Sequence, residues 1–221
     1  MTTKLSISRR VEATLQTYPR QFWLLFTGML ISTVGTSMIW PFLMIYVTEK
    51  LNLPLSIATS LNSINSAAMM ISVFVSGQLV DRMGRRWAMI ISLALNGLVY
   101  FLQGQASSYL AFALVMALAG AANPLYRVAA DAMVTDLLPA DKRVSGFSLM
   151  RMSSNLGISI GPAIGGFINS SSYGLAFYLA AGGMIIYSLL MFFFSRETLP
   201  DQAPTTGIPV AREGPGGYGR V

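Results

Sequence analysis

No charged side chain occurs between Leu51 and Val80, and none between Trp87 and Tyr126. Water-soluble domains carry about 25% charged residues spread along the chain, so runs of this length leave a soluble fold nowhere to place its surface. The chain as a whole is 53% hydrophobic and 11% charged over 221 residues. A helix of about 20 apolar residues crosses the hydrocarbon core of a bilayer, and the runs predict an integral membrane protein. A closed β-barrel is the other structure that satisfies its backbone in lipid, but its strands alternate apolar and polar residues over about ten positions. These runs are apolar throughout and predict helices.

Charged residues and turn-forming stretches divide the chain into six predicted transmembrane helices, at about 22–47, 56–80, 87–103, 109–134, 144–168 and 174–194. The polar stretch Gln103–Ser108 splits one long run into a hairpin, and Asn169–Gly174 splits another. The organisation expected is an N-terminal segment over 1–20, a helical bundle over 21–195, and a tail over 196–221. The tail is rich in Pro and Gly without apolar periodicity, which predicts a flexible linker.

Lys and Arg concentrate in links on the cytoplasmic side of a membrane. One side of the six-span arrangement receives Lys4, Arg9, Arg10, Arg20, Arg82, Arg85, Arg86, Lys142, Arg143 and Arg196, and the other receives only Lys50. Both termini are therefore expected in the cytoplasm. The first twenty residues lack an apolar core, so no cleavable signal is expected, and a bacterial inner membrane is the expected location.

Composition also excludes functions. With no cysteine, disulfides and thiolate metal sites are ruled out; with no histidine, the commonest metal ligand and near-neutral proton carrier is missing. No metal site or cofactor is expected. The net charge of +6 sits in short links between spans, which predicts no nucleic-acid partner. No nucleophile–base set or pair of carboxylates occurs within the spans, which argues against an enzyme.

The link GQLVDRMGRR, Gly77 to Arg86, concentrates charge and glycine between two oily runs. Gly77 is expected to let the second helix approach a neighbour, as small residues do in membranes. Asp81 is placed to accept from Arg85 and to favour a nearby helix N-terminus, and Asp136 offers Arg85 a second carboxylate. Three ionisable residues fall inside spans: Arg127 and Asp131 on the fourth helix, and Arg151 on the fifth. Each charge at mid-membrane costs about 2.5–3.5 kcal/mol on insertion scales and faces a cavity or a partner. Asn123, Arg127 and Asp131 share one helix face, so Arg127 and Asp131 are expected to pair, with Arg151 reaching Asp131 or snorkelling. On the first helix Thr33, Ser37, Trp40 and Met44 share a face, and Pro41 is expected to kink it. Gly161–Pro162 is expected to bend the fifth.

Three stretches carry a family resemblance. GQLVDRMGRR, with Gly77, Asp81, Arg82, Gly84, Arg85 and Arg86, resembles the signature between the second and third helices of the major facilitator superfamily. NLGISIGPAIGG, with Gly157, Gly161, Pro162, Gly165 and Gly166, resembles the fifth-helix signature of its antiporter branch. TDLLPADKR resembles the family's link after the fourth helix. The resemblance implies an all-α membrane bundle of six helices built as a three-plus-three inverted repeat, which is half of the family's twelve. It implies a latch at the Gly77–Arg86 link, closing the cytoplasmic face together with Asp136. It also implies a cavity lined by the first and fourth helices, where Arg127 and Asn123 meet substrate or coupling ion beside Asp131, Arg151, Trp40 and Ser37. The helix-five glycines either pack tightly or rock against the partner half.

The chain departs from the drug–proton antiporters of the family by having no acid in its first helix. The expected function is half of a secondary transporter that moves a small solute by alternating access, with protons as a possible coupling ion. The missing C-terminal six-helix half and the lipid bilayer are its expected partners. A non-transporting membrane partner and a homodimeric half-size transporter are the alternatives.

Overall fold

The computed structural model describes residues 16–169 and 173–199. Among them the chain forms seven helices: α1 (Arg20–Ile39), α2 (Leu43–Leu51), α3 (Leu55–Met83), α4 (Arg85–Gln105), α5 (Tyr109–Leu137), α6 (Ala140–Asn169) and α7 (Tyr173–Phe194). The first predicted span is the pair α1 and α2. Pro41 lacks the N–H that would carry the ladder onward, and the helix breaks over Trp40–Phe42. Five helices, α1, α3, α4, α5 and most of α7, are long and apolar enough to cross a membrane. At 30 residues α6 is as long as any of them, but its serines, asparagine and glycines dilute its hydropathy. The six-span architecture therefore holds, with one span short on apolar residues rather than on length.

Boundaries differ from expectation at informative places. Gln103 lies inside α4 and is buried, so the turn to α5 is only Ala106–Ser108. Ser108 accepts a hydrogen bond from the Ala111 amide at 3.2 Å and caps α5. Pro162 sits within an unbroken α6, and Pro124 within an unbroken α5. The predicted turn Asn169–Gly174 falls largely outside the described residues.

The helices pack as three pairs: α1 with α6, α3 with α5, and α4 with α7. Two further seams join α4 to α5 and α1 to α7. Exchanging the first three spans for the last three maps α1 onto α5, α3 onto α6 and α4 onto α7. That operation returns the same set of pairs and seams. It is the packing of a three-plus-three inverted repeat, although the two halves of the sequence barely resemble each other.

In lipid, helices gain little from hydrophobic contact with one another, and close backbone approach and interhelical hydrogen bonds hold them instead. Each pair shows both. Ser153 of α6 donates to the Phe26 carbonyl of α1 at 2.8 Å. Asn65 and Ser72 of α3 donate to the Met116 and Ala121 carbonyls of α5 at 2.9 and 2.6 Å. Ser188 of α7 donates to the Ile90 carbonyl of α4 at 2.9 Å. The fully buried ring of Tyr187 lies directly on α1 at Gly28, where any Cβ would fall inside the ring.

Burial is uneven. The most apolar window of α4 and of α5 is 50% buried, whereas that of α3 is 11% buried. Met70, Ile71, Val73, Phe74 and Val75 of α3 all face outward.

Candidate functional site

Two charged features stand out: a cluster at the basic end of the bundle, and an exposed charged face within the membrane span.

At the basic end α3 meets α4 through Gly84 alone, with φ 88 and ψ 152. That region of backbone space is essentially reserved for glycine. The turn presents Arg85, whose side chain is 13% exposed, to two carboxylates. Its Nε donates to Asp136 Oδ2 at 3.0 Å, tying α4 to the end of α5. Its Nη1 lies 3.1 Å from Asp81 Oδ1. The Asp81 contact satisfies distance but not hydrogen-bond alignment, and Asp81 is 67% exposed. Exposed pairs of this kind contribute about 0–1 kcal/mol. Asp136 is the stronger anchor, and Asp81 the weaker.

The N-terminus of α4, which Asp81 was expected to serve, is held by a residue the motif does not contain. Glu197, just past α7, accepts from the Arg85 amide at 2.9 Å through Oε1 and from the Arg86 amide at 3.2 Å through Oε2. A carboxylate here satisfies orphan amides and the positive end of the helix dipole together. The same Oε1 accepts from the amides of Thr198 and Leu199, each at 3.0 Å. The Thr198 hydroxyl reaches Asp136 at 3.4 Å. Gln21 on α1 brackets Arg196, donating to its carbonyl at 2.7 Å and accepting from its amide at 3.3 Å. Arg86 donates to the Phe192 carbonyl at 2.6 Å and lies over the Trp87 ring. The segment 196–199, expected to begin a flexible linker, is strapped across the basic end; residues 200–221 lie outside the described residues.

Gly77 corrects another expectation. A Cβ there would meet nothing within 4 Å, so it makes no close approach to any described residue. Arg82 is exposed. At the opposite end Lys50 donates to the Gly104 carbonyl at 3.0 Å and to the Tyr46 hydroxyl at 2.7 Å, which fastens α2 to the last turn of α4.

The helix-six glycines (the predicted fifth span) have found their partner inside the bundle. A Cβ on Gly157 would strike Thr33, on Gly161 Ser37 and the Val34 carbonyl, and on Gly165 the Met38 backbone. Gly166 faces the Phe42 ring, 3.6 Å from a Cβ position. The stripe packs on α1 against Thr33 and Ser37, both of which stay partly exposed. Met44 packs against the core, while Trp40 is 53% exposed.

The remaining candidates are open. Asn123, Arg127 and Asp131 are all exposed along one face of α5, and Arg151 is exposed on α6. Among the described residues the only ion pairs are the two of Arg85, so the expected Arg127–Asp131 and Arg151–Asp131 pairs are not closed. Asp131 is near enough to feel both arginine charges across space. Arg151 sits with Ser148, Met152, Asn155, Leu156 and Ser159 along an open hollow of ≈ 560 Å³.

The family profile of the Major Facilitator Superfamily matches residues 25–215. The chain belongs to the major facilitator superfamily. Among curated members, the transporter YttB of Bacillus subtilis is 26% identical over 86% of this chain and 48% of its own length. The class B tetracycline resistance protein of Escherichia coli is 34% identical over 55% of this chain and 30% of its own. The quinolone resistance protein NorA of Staphylococcus aureus is 23% identical over 86% and 48%. The chain thus spans about half the length of the curated relatives it matches. A crystal structure of the peptide transporter POT superposes with a TM-score of 0.74 at 24% identity, covering 82% of this chain and 39% of that one. The human organic anion transporter MFSD10 gives 0.65 at 21%, over 81% and 48%. These likenesses show the fold of the superfamily and a multi-pass membrane protein.

Within that family signature, Arg85 and Asp136 were legible before the structure. Glu197 and Gln21 were not; the one available hint was an acid immediately after the most apolar helix.

Proposed function

We propose that this chain is the N-terminal half of a secondary active transporter that moves a small solute across the inner membrane by alternating access. Two bundles rocking about a midplane site is how such proteins work. The observation that carries the reading is the face bearing Asn123, Arg127, Asp131 and Arg151, which holds ionisable groups at membrane depth with no cover from its own bundle. Charges so placed face a cavity or a partner. The basic end lies in the cytoplasm on this reading, and the Arg85 cluster fastens the inner gate between α3, α4 and α5. Resistance proteins among the relatives support efflux. Asp131 is the one acid between the span ends of this half, and it is the residue here suited to a coupling proton.

The test is solute flux in proteoliposomes carrying the full-length gene product. Asp136→Asn and Arg127→Ala are expected to reduce flux at least tenfold, and collapse of the pH gradient to abolish accumulation. Wild-type flux in both variants removes the gate and the cavity assignments together.

A further inference from the structure

Arg127 lies ten residues from the end of α5 at Leu137, and Arg151 eleven residues from the start of α6 at Ala140. At 1.5 Å of rise per residue both stand about 5–6 Å to the basic side of their helices' midpoints, well inside a hydrocarbon core about 30 Å thick. They belong to different helix pairs, α3–α5 and α1–α6. Asp131 sits one turn nearer the basic end than Arg127. Between the span ends no other Asp, Glu, Lys or Arg occurs on any helix. The face therefore holds two guanidiniums against one carboxylate.

That imbalance is the point. Neither arginine is within ion-pair distance of a carboxylate among the described residues. Both are exposed rather than packed against a carbonyl or ring, in contrast to Arg86, which donates to the Phe192 carbonyl and lies over two aromatic rings. An uncompensated cation inside the hydrocarbon core is costly, and the cost falls when an anion arrives. Guanidinium presents a planar fork matched to carboxylate, sulfonate and phosphate oxygens, in a geometry lysine does not offer. Around Arg151 the hollow alternates Ser148, Asn155 and Ser159 with Met152 and Leu156, which suits a solute with one charged end and an apolar body.

We infer that the charged face of α5 and α6 is an organic-anion site, in which Arg127 and Arg151 together grip one anionic group of the transported solute inside the membrane. The inference rests on the transporter reading above and adds the charge class of its substrate. Asp131, when ionised, offsets one of the two positive charges, and loses that effect when it takes up a proton.

Permanently charged, size-matched pairs test it: benzenesulfonate against phenyltrimethylammonium, and naphthalene-1-sulfonate against trimethyl(1-naphthyl)ammonium, assayed for flux in proteoliposomes of the full-length gene product. The sulfonate of each pair is expected to move at least tenfold faster than its cation. In Arg127→Gln and Arg151→Gln that preference ratio is expected to fall at least tenfold, with Arg→Lys at either position intermediate. A ratio within one preparation is unaffected by the fraction of a variant that folds. Preference for the cations, or a sulfonate preference unchanged in both glutamine variants, overturns the anion site and leaves the transporter reading standing. Absence of flux for all four solutes overturns the transporter reading, and this inference with it.

Discussion

Gly84 and Glu197 show how one residue's backbone can dictate another's place. The turn between α3 and α4 needs φ near 88, and only glycine enters that region without strain. A Cβ at the same position would also run into the Glu197 carboxylate. Gly84→Ala therefore meets two penalties, and backbone strain alone is about 1–3 kcal/mol. Glu197→Gln keeps one acceptor oxygen, turns its NH2 donor toward the other amide and loses the charge, which at an exposed helix N-terminus is worth about 0.3–1 kcal/mol. Thermal unfolding in detergent is expected to rank Gly84→Ala below Glu197→Gln, and both below wild type. An unchanged midpoint for Gly84→Ala removes the strain argument. The sequence made Arg85 and its two carboxylates legible because Asp81 is one turn away and Asp136 ends an apolar run. Glu197 stands far along the chain from Arg85, and no local spacing links the two.

At the scale of helices, the stripe Gly157–Gly161–Gly165 was legible as a surface for close approach, but not which surface it approaches. Four-residue spacing fixes a face on α6; it says nothing of the partner, which is α1. Gly77 marks the converse failure, since a small residue in a motif looked like a packing contact and has open space beside it. The α1–α6 contact is tight enough that Gly165→Leu cannot be absorbed by a rotamer change, because its Cβ already meets the Met38 backbone. Overpacking of this sort costs about 1–3 kcal/mol, occasionally more. Gly182 has open space around its Cβ position, and Gly182→Ala is the matched control. The expected result is a lowered unfolding midpoint and reduced yield for Gly165→Leu beside an unchanged Gly182→Ala. Equal behaviour of the two would mean that α1 and α6 are not held at that distance in the membrane.

For the molecule as a whole, the symmetry that organises it is invisible in the residues and plain in the packing. Pair contacts depend on which faces meet, and many sequences supply a face of the right shape, so two halves of dissimilar sequence share one arrangement. Apolar side chains exposed on α3 are at no disadvantage in lipid, so they place no demand on a partner. The topology is a separate matter, and it is set by the basic links. With no cysteine in the chain, single introduced thiols report sidedness without background. Arg82 lies in the last turn of α3 and is exposed, Val144 near the start of α6 is 78% exposed, and Ser107 lies exposed in the turn between α4 and α5. Membrane-impermeant maleimide is expected to reach Arg82→Cys and Val144→Cys only from the cytoplasmic side, and Ser107→Cys only from the other. Two helix crossings, α4 and α5, fix that alternation; if Arg82→Cys and Val144→Cys label from opposite sides, α4 and α5 do not both span, and neither the gate at Arg85 nor the pair Arg127 and Arg151 retains its place.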